Sequence, residues 1–146
     1  SDLFVLFCPQ STLGTFMHVM WDCPKIYDFW IRVLDCLSDL IGIQLPIDPA
    51  LHLLIDDSLI CMNERSRKIW LAGLTAAKKV IVQVWVPPHN LSFEHWLNTL
   101  LDILFLELSS AKVNGATPRT LRTWNNGISK VKDIIMKNNS FECETC

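Results

Sequence analysis

Three residues with metal-binding side chains lie near the start of the sequence: Cys8, His18 and Cys23. Thiolate and imidazole ligands suit Zn²⁺, and a His-x4-Cys pair at a helical turn can direct two ligands at one ion. A structural zinc site is normally closed by a fourth ligand, and its natural position, three residues before Cys8, holds Val5. The pattern therefore predicts a degenerate Cys/His knuckle. We favour an empty knuckle with buried cysteines; zinc held by these three ligands and a water is the alternative.

The other cysteines give no metal or disulfide framework. Cys143 and Cys146 form a Cys-x2-Cys pair with no histidine or second pair nearby, so two free thiols on a polar tail are the default. The six cysteines are irregularly spaced, and Cys36 falls inside a predicted helix. Reduced thiols are therefore expected, which fits an intracellular protein of the cytoplasm and nucleus.

No constellation of residues suggests catalysis. Asp56-Asp57 resembles the paired carboxylates of a two-metal site, but it lacks a third acid in a recognisable frame, and a solvated turn explains it. The sequence contains no Gly-rich phosphate-binding loop, no Gly-x-Ser-x-Gly elbow and no His-Glu-x-x-His. The chain is therefore predicted not to be an enzyme by itself.

Basic residues are concentrated in the second half of the chain. Residues 1–63 carry eight acids and two bases, a net charge of −6, whereas residues 64–146 carry seven acids and eleven bases, a net charge of +4. Clustered Lys and Arg supply the sequence-independent part of nucleic-acid affinity, although charged outer faces are also what any helix in water needs. The candidate phosphate contacts are Arg65, Lys68, Lys78, Lys79, Arg119 and Arg122.

Six tryptophans could stack on bases, as aromatic side chains do in single-strand binders. Most of them recur at core spacing on predicted helices, so burial is the better interpretation. Trp124, which lies beside Arg122 and an Asn-rich turn, is the expected exception and joins the candidate nucleic-acid residues.

Three long helices must position these residues, over 24–41, 64–86 and 93–112. Pro24 suits a first helical turn and Gly42 a C-terminal cap, while Asn63 and Ser92 are predicted N-caps. The first helix carries apolar residues at three- and four-residue steps, namely Ile26, Phe29, Trp30, Val33, Leu37 and Ile41.

The remaining segments are less regular. Thr15 can cap a short helical turn through Met20. The piece 51–55 is either a buried strand or an irregular crossing segment, since periodicity cannot decide between them. Helices are predicted over 118–124 and 128–137, separated by a turn at 125–127, and the tail from 138 is polar.

Composition indicates one folded domain. The chain has 146 residues and half of them are apolar, which is enough for a core and argues against disorder. The apolar stretch 97–108 is interrupted by four polar residues and is too short to span a bilayer. A first residue of Ser instead of Met suggests a piece of a longer protein.

The run Cys8…Gly14-Thr15-x-x-His18-x-x-Trp21-x-Cys23-Pro24-Lys25-Ile26-x-x-Phe29-Trp30 resembles the region downstream of the reverse transcriptase domain in LINE-type non-LTR retrotransposons. Further blocks follow in the same order: Ile43-x-Leu45-Pro46-x-x-Pro49, Leu53-Leu54, Leu74-x-Ala76-Ala77-Lys78-Lys79-x-Ile81-x-x-x-Trp85 and Ser92-Phe93-Glu94-x-Trp96-Leu97. The likeness covers about 8–124, and the order of the blocks is its most telling feature.

The resemblance implies an accessory segment that binds template RNA and abuts an upstream reverse transcriptase domain during target-primed reverse transcription. The family pattern has a Cys-x2-Cys before the Gly-Thr, so Val5 marks a departure that weakens the expectation of bound metal. The family's paired catalytic aspartates lie upstream, and Asp56-Asp57 falls in the wrong block. The degenerate knuckle suits a decayed or domesticated copy.

The sequence therefore predicts an all-α bundle of four to five helices. It is divided into an irregular knuckle segment at 1–23, a helical domain at 24–137 and a flexible tail at 138–146. The expected function is RNA binding beside a reverse transcriptase, with no cofactor and no membrane partner. The rival is a helical protein-interaction domain or inert remnant that touches no nucleic acid.

Overall fold

The computed structural model describes residues 16–85 and 90–144. Two short turns accompany the α-helices, a π-helical turn at His18–Asp22 and a 3-10 turn at Asp57–Leu59. The described ranges contain no strand, so the predicted all-α class is confirmed. The α-helices in these ranges are α1 (Pro24–Ile41), α2 (Pro49–Leu53), α3 (Glu64–Gln83), α4 (Phe93–Val113) and α5 (Pro118–Glu144).

The predicted caps define the ends of the long helices. The side chain of Asn63 accepts a hydrogen bond from the Ser66 amide at 2.8 Å, and the Ser92 hydroxyl accepts one from the His95 amide at 3.2 Å. Each satisfies an amide that the first turn leaves without an intrahelical partner. Gly42 ends α1 with φ of 73°, a left-handed conformation that glycine adopts without strain. These caps are confirmed, although α3 ends at Gln83, before the predicted 86.

The core lies where α1, α3 and α4 pack together. Trp30, Trp70 and Trp96 contribute one fully buried indole from each of these helices. Each indole N–H keeps a partner, because a buried donor left alone is costly. Trp30 Nε1 donates to the Met20 carbonyl at 2.7 Å, and Trp96 Nε1 donates to the Gly73 carbonyl at 3.0 Å. A Cβ at Gly73 would collide with the buried Leu37 side chain, so glycine permits the close approach of α1 and α3.

The predicted turn at 125–127 is wrong, because α5 runs through it without a break. Trp124, Ile128 and Val131 are all buried, and their spacing of four and three residues is helical. Gly127 lies on the same face, against Ile69 of α3. Burial of this stripe outweighs the local turn preference of Asn-Asn-Gly. The helix also continues past the predicted end of the domain at 137, as far as Glu144.

The segment 43–62 contains the short helix α2, so the strand alternative for 51–55 is wrong, and residues 51–53 are helical instead of irregular. The Asp48 carboxylate accepts a hydrogen bond from the Ala50 amide at 2.8 Å, and Pro49 follows in the first turn. This cap and proline start a helix that buries Leu51, His52 and Leu53. Ahead of α1, residues 16–22 form helical turns, as expected, but the predicted Thr15 cap lies outside the described residues.

Candidate nucleic-acid interface

A groove of about 470 Å³ lies among α3, α4 and α5. Two of the candidate residues, Lys68 and Trp124, both line it. The other lining side chains mix polar and apolar groups, and they include Leu71, Thr75, Ile103, Glu107, Asn114 and Thr120. The groove therefore joins one predicted cation to one predicted aromatic residue.

One side of α3 carries a row of basic residues, which we call the α3 row: Arg65, Lys68 and Lys79. Their positions fall within about 60° of one another around the helix, on the side that faces the groove. Arg65 and Lys79 are exposed. Lys68 Nζ lies 3.5 Å from Glu64 Oε1, one turn earlier. A surface ion pair of this kind contributes at most about 0.5 kcal/mol to stability. A polyanion could displace this pairing at little cost.

A second row, the α5 row, runs along an exposed flank of α5 and consists of Arg119, Arg122, Lys130 and Lys137. These positions span about 80° around the helix and about 27 Å along it. Asp133 falls within the row and lowers its net charge. Lys130 Nζ donates to the Leu40 carbonyl of α1 at 3.4 Å, so the main candidate phosphate contacts of the row are Arg119, Arg122 and Lys137. The sequence indicated Arg119 and Arg122 as candidates, and their alignment with Lys130 and Lys137 on one flank follows from the continuity of α5.

The structure does not gather all the candidate residues on one surface. Arg122 lies about 160° around α5 from Thr120, which faces the groove, so the α5 row points away from it. The two rows are therefore separate strips of positive charge. Among the ion pairs within the described ranges, none involves Arg65, Lys79, Arg119 or Arg122.

Lys78 has a structural contact that the sequence did not indicate. Its Nζ donates a hydrogen bond of 3.0 Å to the Leu53 carbonyl at the end of α2. Partial burial lowers the pKa of Lys78 from its ordinary value, because desolvation disfavours the ammonium form. Lys78 thus fastens α2 to α3, and its amine is turned from the α3 row.

Trp124 is only 6 % exposed, so the expectation that it stands free to stack on a base is wrong. Its ring packs in the core with Ile128, and its edge contributes to the groove wall. The other five tryptophans are buried or partly buried, as their helical spacing predicted.

The predicted knuckle is described only in part. Cys8 lies outside the described residues, as does the Cys146 end of the Cys-x2-Cys pair. Cys23 is fully buried at the start of α1, and its amide donates to the His18 carbonyl at 3.1 Å. Within the described ranges, no three His, Cys, Asp or Glu side chains come together as metal ligands. Cys36 and Cys61 are free thiols, and burial with the nearby Asp39 raises the pKa of Cys36 to about 12.

Among the described residues, His52 is the most buried polar side chain, and it was not one of the predicted functional residues. Its Nε2 lies 2.7 Å from the Pro46 carbonyl, and Trp70 Nε1 donates to its Nδ1 at 3.1 Å. These bonds fix a neutral ring protonated at Nε2. Trp21 and Trp30 stack nearby, with ring centroids 6.1 and 6.5 Å from the imidazole.

Burial lowers the pKa of His52. This effect outweighs those of the Pro46 carbonyl and Asp48, which raise the pKa. A histidine inside the otherwise apolar run 51–55 is the sequence feature that could have indicated a buried polar residue here. The surroundings of His52 are those of a core residue, and it joins α2 to α1 and α3.

None of the helices in the described ranges combines the length and apolar character required to cross a membrane. No family model matches the chain, and no solved structure matches it.

Proposed function

We propose that the chain is a non-catalytic RNA-binding segment of a LINE-type retrotransposon reverse transcriptase. The family assignment rests on the ordered sequence blocks from 8 to 124. The binding part rests on one observation, the exposed α3 and α5 rows, whose arginines form no ion pair with the acids of the first half in the described ranges. The natural partner is an upstream reverse transcriptase domain, and the place of action is wherever the RNA lies, in cytoplasm and nucleus.

The chemistry of the two rows favours backbone contacts over base readout. Arginine and lysine neutralise phosphates and release condensed counterions, a gain that does not depend on sequence. The α5 row is about 27 Å long, which is enough for several phosphates of an extended strand. Burial of Trp124 removes the one predicted stacking platform beside these cations. We therefore expect RNA binding by the two rows that weakens as the salt concentration rises and depends little on base sequence.

A salt titration tests this function directly. Affinity for a mixed-sequence single-stranded RNA is measured by fluorescence anisotropy across a range of KCl concentrations. Arg119→Gln together with Arg122→Gln should reduce the slope of log affinity against log salt by about 1.4, at about 0.7 per lost phosphate contact on single strands. Lys79→Gln should reduce it by about 0.7.

Lys132→Gln provides a matched control on α5. Lys132 lies outside the α5 row, about 130° around the helix from the row's centre. Its Nζ lies 5.2 Å from the centroid of the Phe105 ring. Its loss removes one positive charge, as Lys79→Gln does, but no proposed phosphate contact, so the slope should stay unchanged. Absence of RNA binding at low salt would remove the proposed function, and equal effects of all the substitutions would show that only net charge matters.

The alternative is a helical protein-interaction domain or an inert remnant. Exposed apolar side chains support the protein-interaction domain. Ile47, Leu54 and Leu59 are 50, 71 and 51 % exposed within the connection between α1 and α3. Exposed apolar groups close together are typical of a surface that contacts another protein. Leu54→Ser with Leu59→Ser should leave the RNA slope unchanged, while weakening association with a separately expressed reverse transcriptase domain if that domain covers this surface.

A further inference from the structure

A second cavity, of about 370 Å³, lies between the first half of α1 and the start of α4. Lys25, Asp28 and Arg32 come from one face of α1, spaced at three and four residues, and Asn90 and Phe93 come from the other side. This volume falls within the range of small-molecule sites in proteins. Phe93 and Ile103, the nearest lining residues of the two on α4, are separated by about 15 Å along that helix, so the cavity is distinct from the groove.

Arg32 is held in an orientation that suits stacking. Its guanidinium carbon lies 4.4 Å from the centroid of the Phe93 ring. Phe93 in turn stacks against the buried Trp96, with ring centroids 5.4 Å apart and planes inclined by 26°. Cation–π attraction and this aromatic backing reduce the freedom that Arg32 would lose on binding. A planar cation positioned in this way offers a surface for an aromatic ring.

The other lining groups complete a recognisable set. Among the described lining residues, Lys25 and Arg32 are cationic and Asp28 is acidic. Asp28 can accept from exocyclic amines, whereas the Asn90 amide can both donate and accept at a base edge. Phe29 closes the cavity with a buried apolar wall. A planar cation, a phosphate-binding amine and two hydrogen-bonding groups match the parts of one nucleotide.

We propose that this cavity binds a single nucleotide, with its base stacked on the Arg32 guanidinium and its phosphate paired with Lys25. The nucleotide is either free or one unpaired residue of an RNA strand. This site does not depend on the α3 and α5 rows, and it adds base contacts that those rows do not supply. Guanidinium planes are among the surfaces on which proteins stack unpaired bases.

Mononucleotide binding measures this site apart from the RNA grip. The four ribonucleoside 5′-monophosphates, the corresponding nucleosides and inorganic phosphate are titrated separately while NMR shifts of the Arg32 Nε–H and Asn90 amide groups are followed. Monophosphates should bind in the millimolar range or tighter, and at least about tenfold more tightly than phosphate, because stacking adds to the charge contact. A short RNA that binds more tightly than any monophosphate, with the same shifts, identifies the strand as the source.

Substitution at Arg32 separates stacking from charge. Arg32→Lys keeps the positive charge but removes the plane, so monophosphate affinity should fall about tenfold. Lys79→Gln, which alters the α3 row, should leave it unchanged. Equal affinity for phosphate and monophosphate, no binding up to about 10 mM, or an undiminished affinity in Arg32→Lys would each overturn the proposal. Helical circular dichroism checks the fold of each variant, and Arg32 is exposed, so the core remains intact.

Discussion

His52 shows how one buried side chain can make stability depend on pH. Its ring is neutral, with Nε2 donating to Pro46 and Nδ1 accepting from Trp70. Protonation at Nδ1 would turn that acceptor into a donor facing another donor, and burial disfavours the charge. The pKa of His52 is therefore lower in the folded state than in the unfolded chain.

The sign of the pH effect follows from this lowered pKa. Below about pH 6.5, the ordinary histidine pKa, His52 is protonated in the unfolded chain but stays neutral in the folded chain. The contribution of His52 is thus complete above that pH and is lost as the pH falls toward the folded-state pKa, with a limiting slope of about 1.4 kcal/mol per pH unit. The free energy of unfolding, measured with urea at about pH 7.5 and at about pH 5, should show this loss of stability.

A matched pair of substitutions isolates His52 in that experiment. His52→Gln should lower stability at neutral pH and flatten the decline, whereas His95→Gln should leave the decline in place. The His95 side chain is exposed, and within the described ranges its ring forms a hydrogen bond only with Gln83 Oε1, at 2.7 Å. An unchanged decline in His52→Gln would assign the effect to another group.

Lys78 and Lys79 are neighbours in sequence with different surroundings. Because Lys78 Nζ bonds to the Leu53 carbonyl, Lys78→Met should cost about 1 kcal/mol of unfolding free energy and leave the salt slope of RNA binding unchanged. Lys79→Gln should leave the free energy of unfolding unchanged and reduce the salt slope of RNA binding, because the Lys79 side chain is exposed. Urea denaturation and the RNA titration together check both, and a joint loss of slope would place Lys78 in the interface.

The sequence could not distinguish these side chains because their difference arises in tertiary structure. Cap residues such as Asn63 and Ser92 act within four residues, so local sequence suffices to find them. The partner of Lys78 lies 25 residues away, and that of His52 in α3 lies 18 residues away. Trp124 was misplaced for the same reason: its neighbours in sequence are polar, whereas its neighbours in space are apolar.

At the scale of elements, α5 illustrates how burial can override a local signal. Asn-Asn-Gly at 125–127 favours a turn, yet Gly127 is helical and packs against α3. The long helices were predictable because their apolar stripes and caps agreed. The weaker pattern in α5 became helical because α3 and α4 supply the apolar surface that it covers.

Two glycine substitutions test this account of α5. Gly127→Ala should be neutral or should stabilise the protein by up to about 1 kcal/mol, because alanine is the better helix former. The added Cβ would lie 2.9 Å from Ile69 Cδ1, the end of a side chain that can shift. If 125–127 were a turn in solution, Gly127→Ala would instead destabilise the protein.

Gly73→Ala is the contrasting case in α3. The same gain in helix preference is opposed by collision with the fully buried Leu37 side chain. Overpacking of this kind costs about 1–3 kcal/mol, so a net loss of stability is expected. Thermal unfolding of the two variants side by side should move the midpoint in opposite directions or lower only that of Gly73→Ala. Equal midpoints would mean that α1 and α3 can separate to admit a methyl group.

At the scale of the whole molecule, a net charge of −2 conceals a strong internal separation of charge. The exposed side of α1 carries Asp28, Asp35 and Asp39 together with Lys25 and Arg32, whereas the rows of α3 and α5 are mainly cationic. The two rows attract a polyanion, which orients its approach before contact. This field decays within about 10 Å at 0.1 M salt, so the steering is strongest in dilute buffer.

The hydrogen bond from Lys130 Nζ to the Leu40 carbonyl, 3.4 Å long, joins residues 90 positions apart. During translation this fastening has to wait until most of α5 has left the ribosome. Until then the apolar faces of α3 and α4 that α5 covers, including Ile69 and Leu104, have no partner from the nascent chain. Ribosome-bound chains halted before Pro118 should therefore recruit chaperones that chains released at full length no longer need.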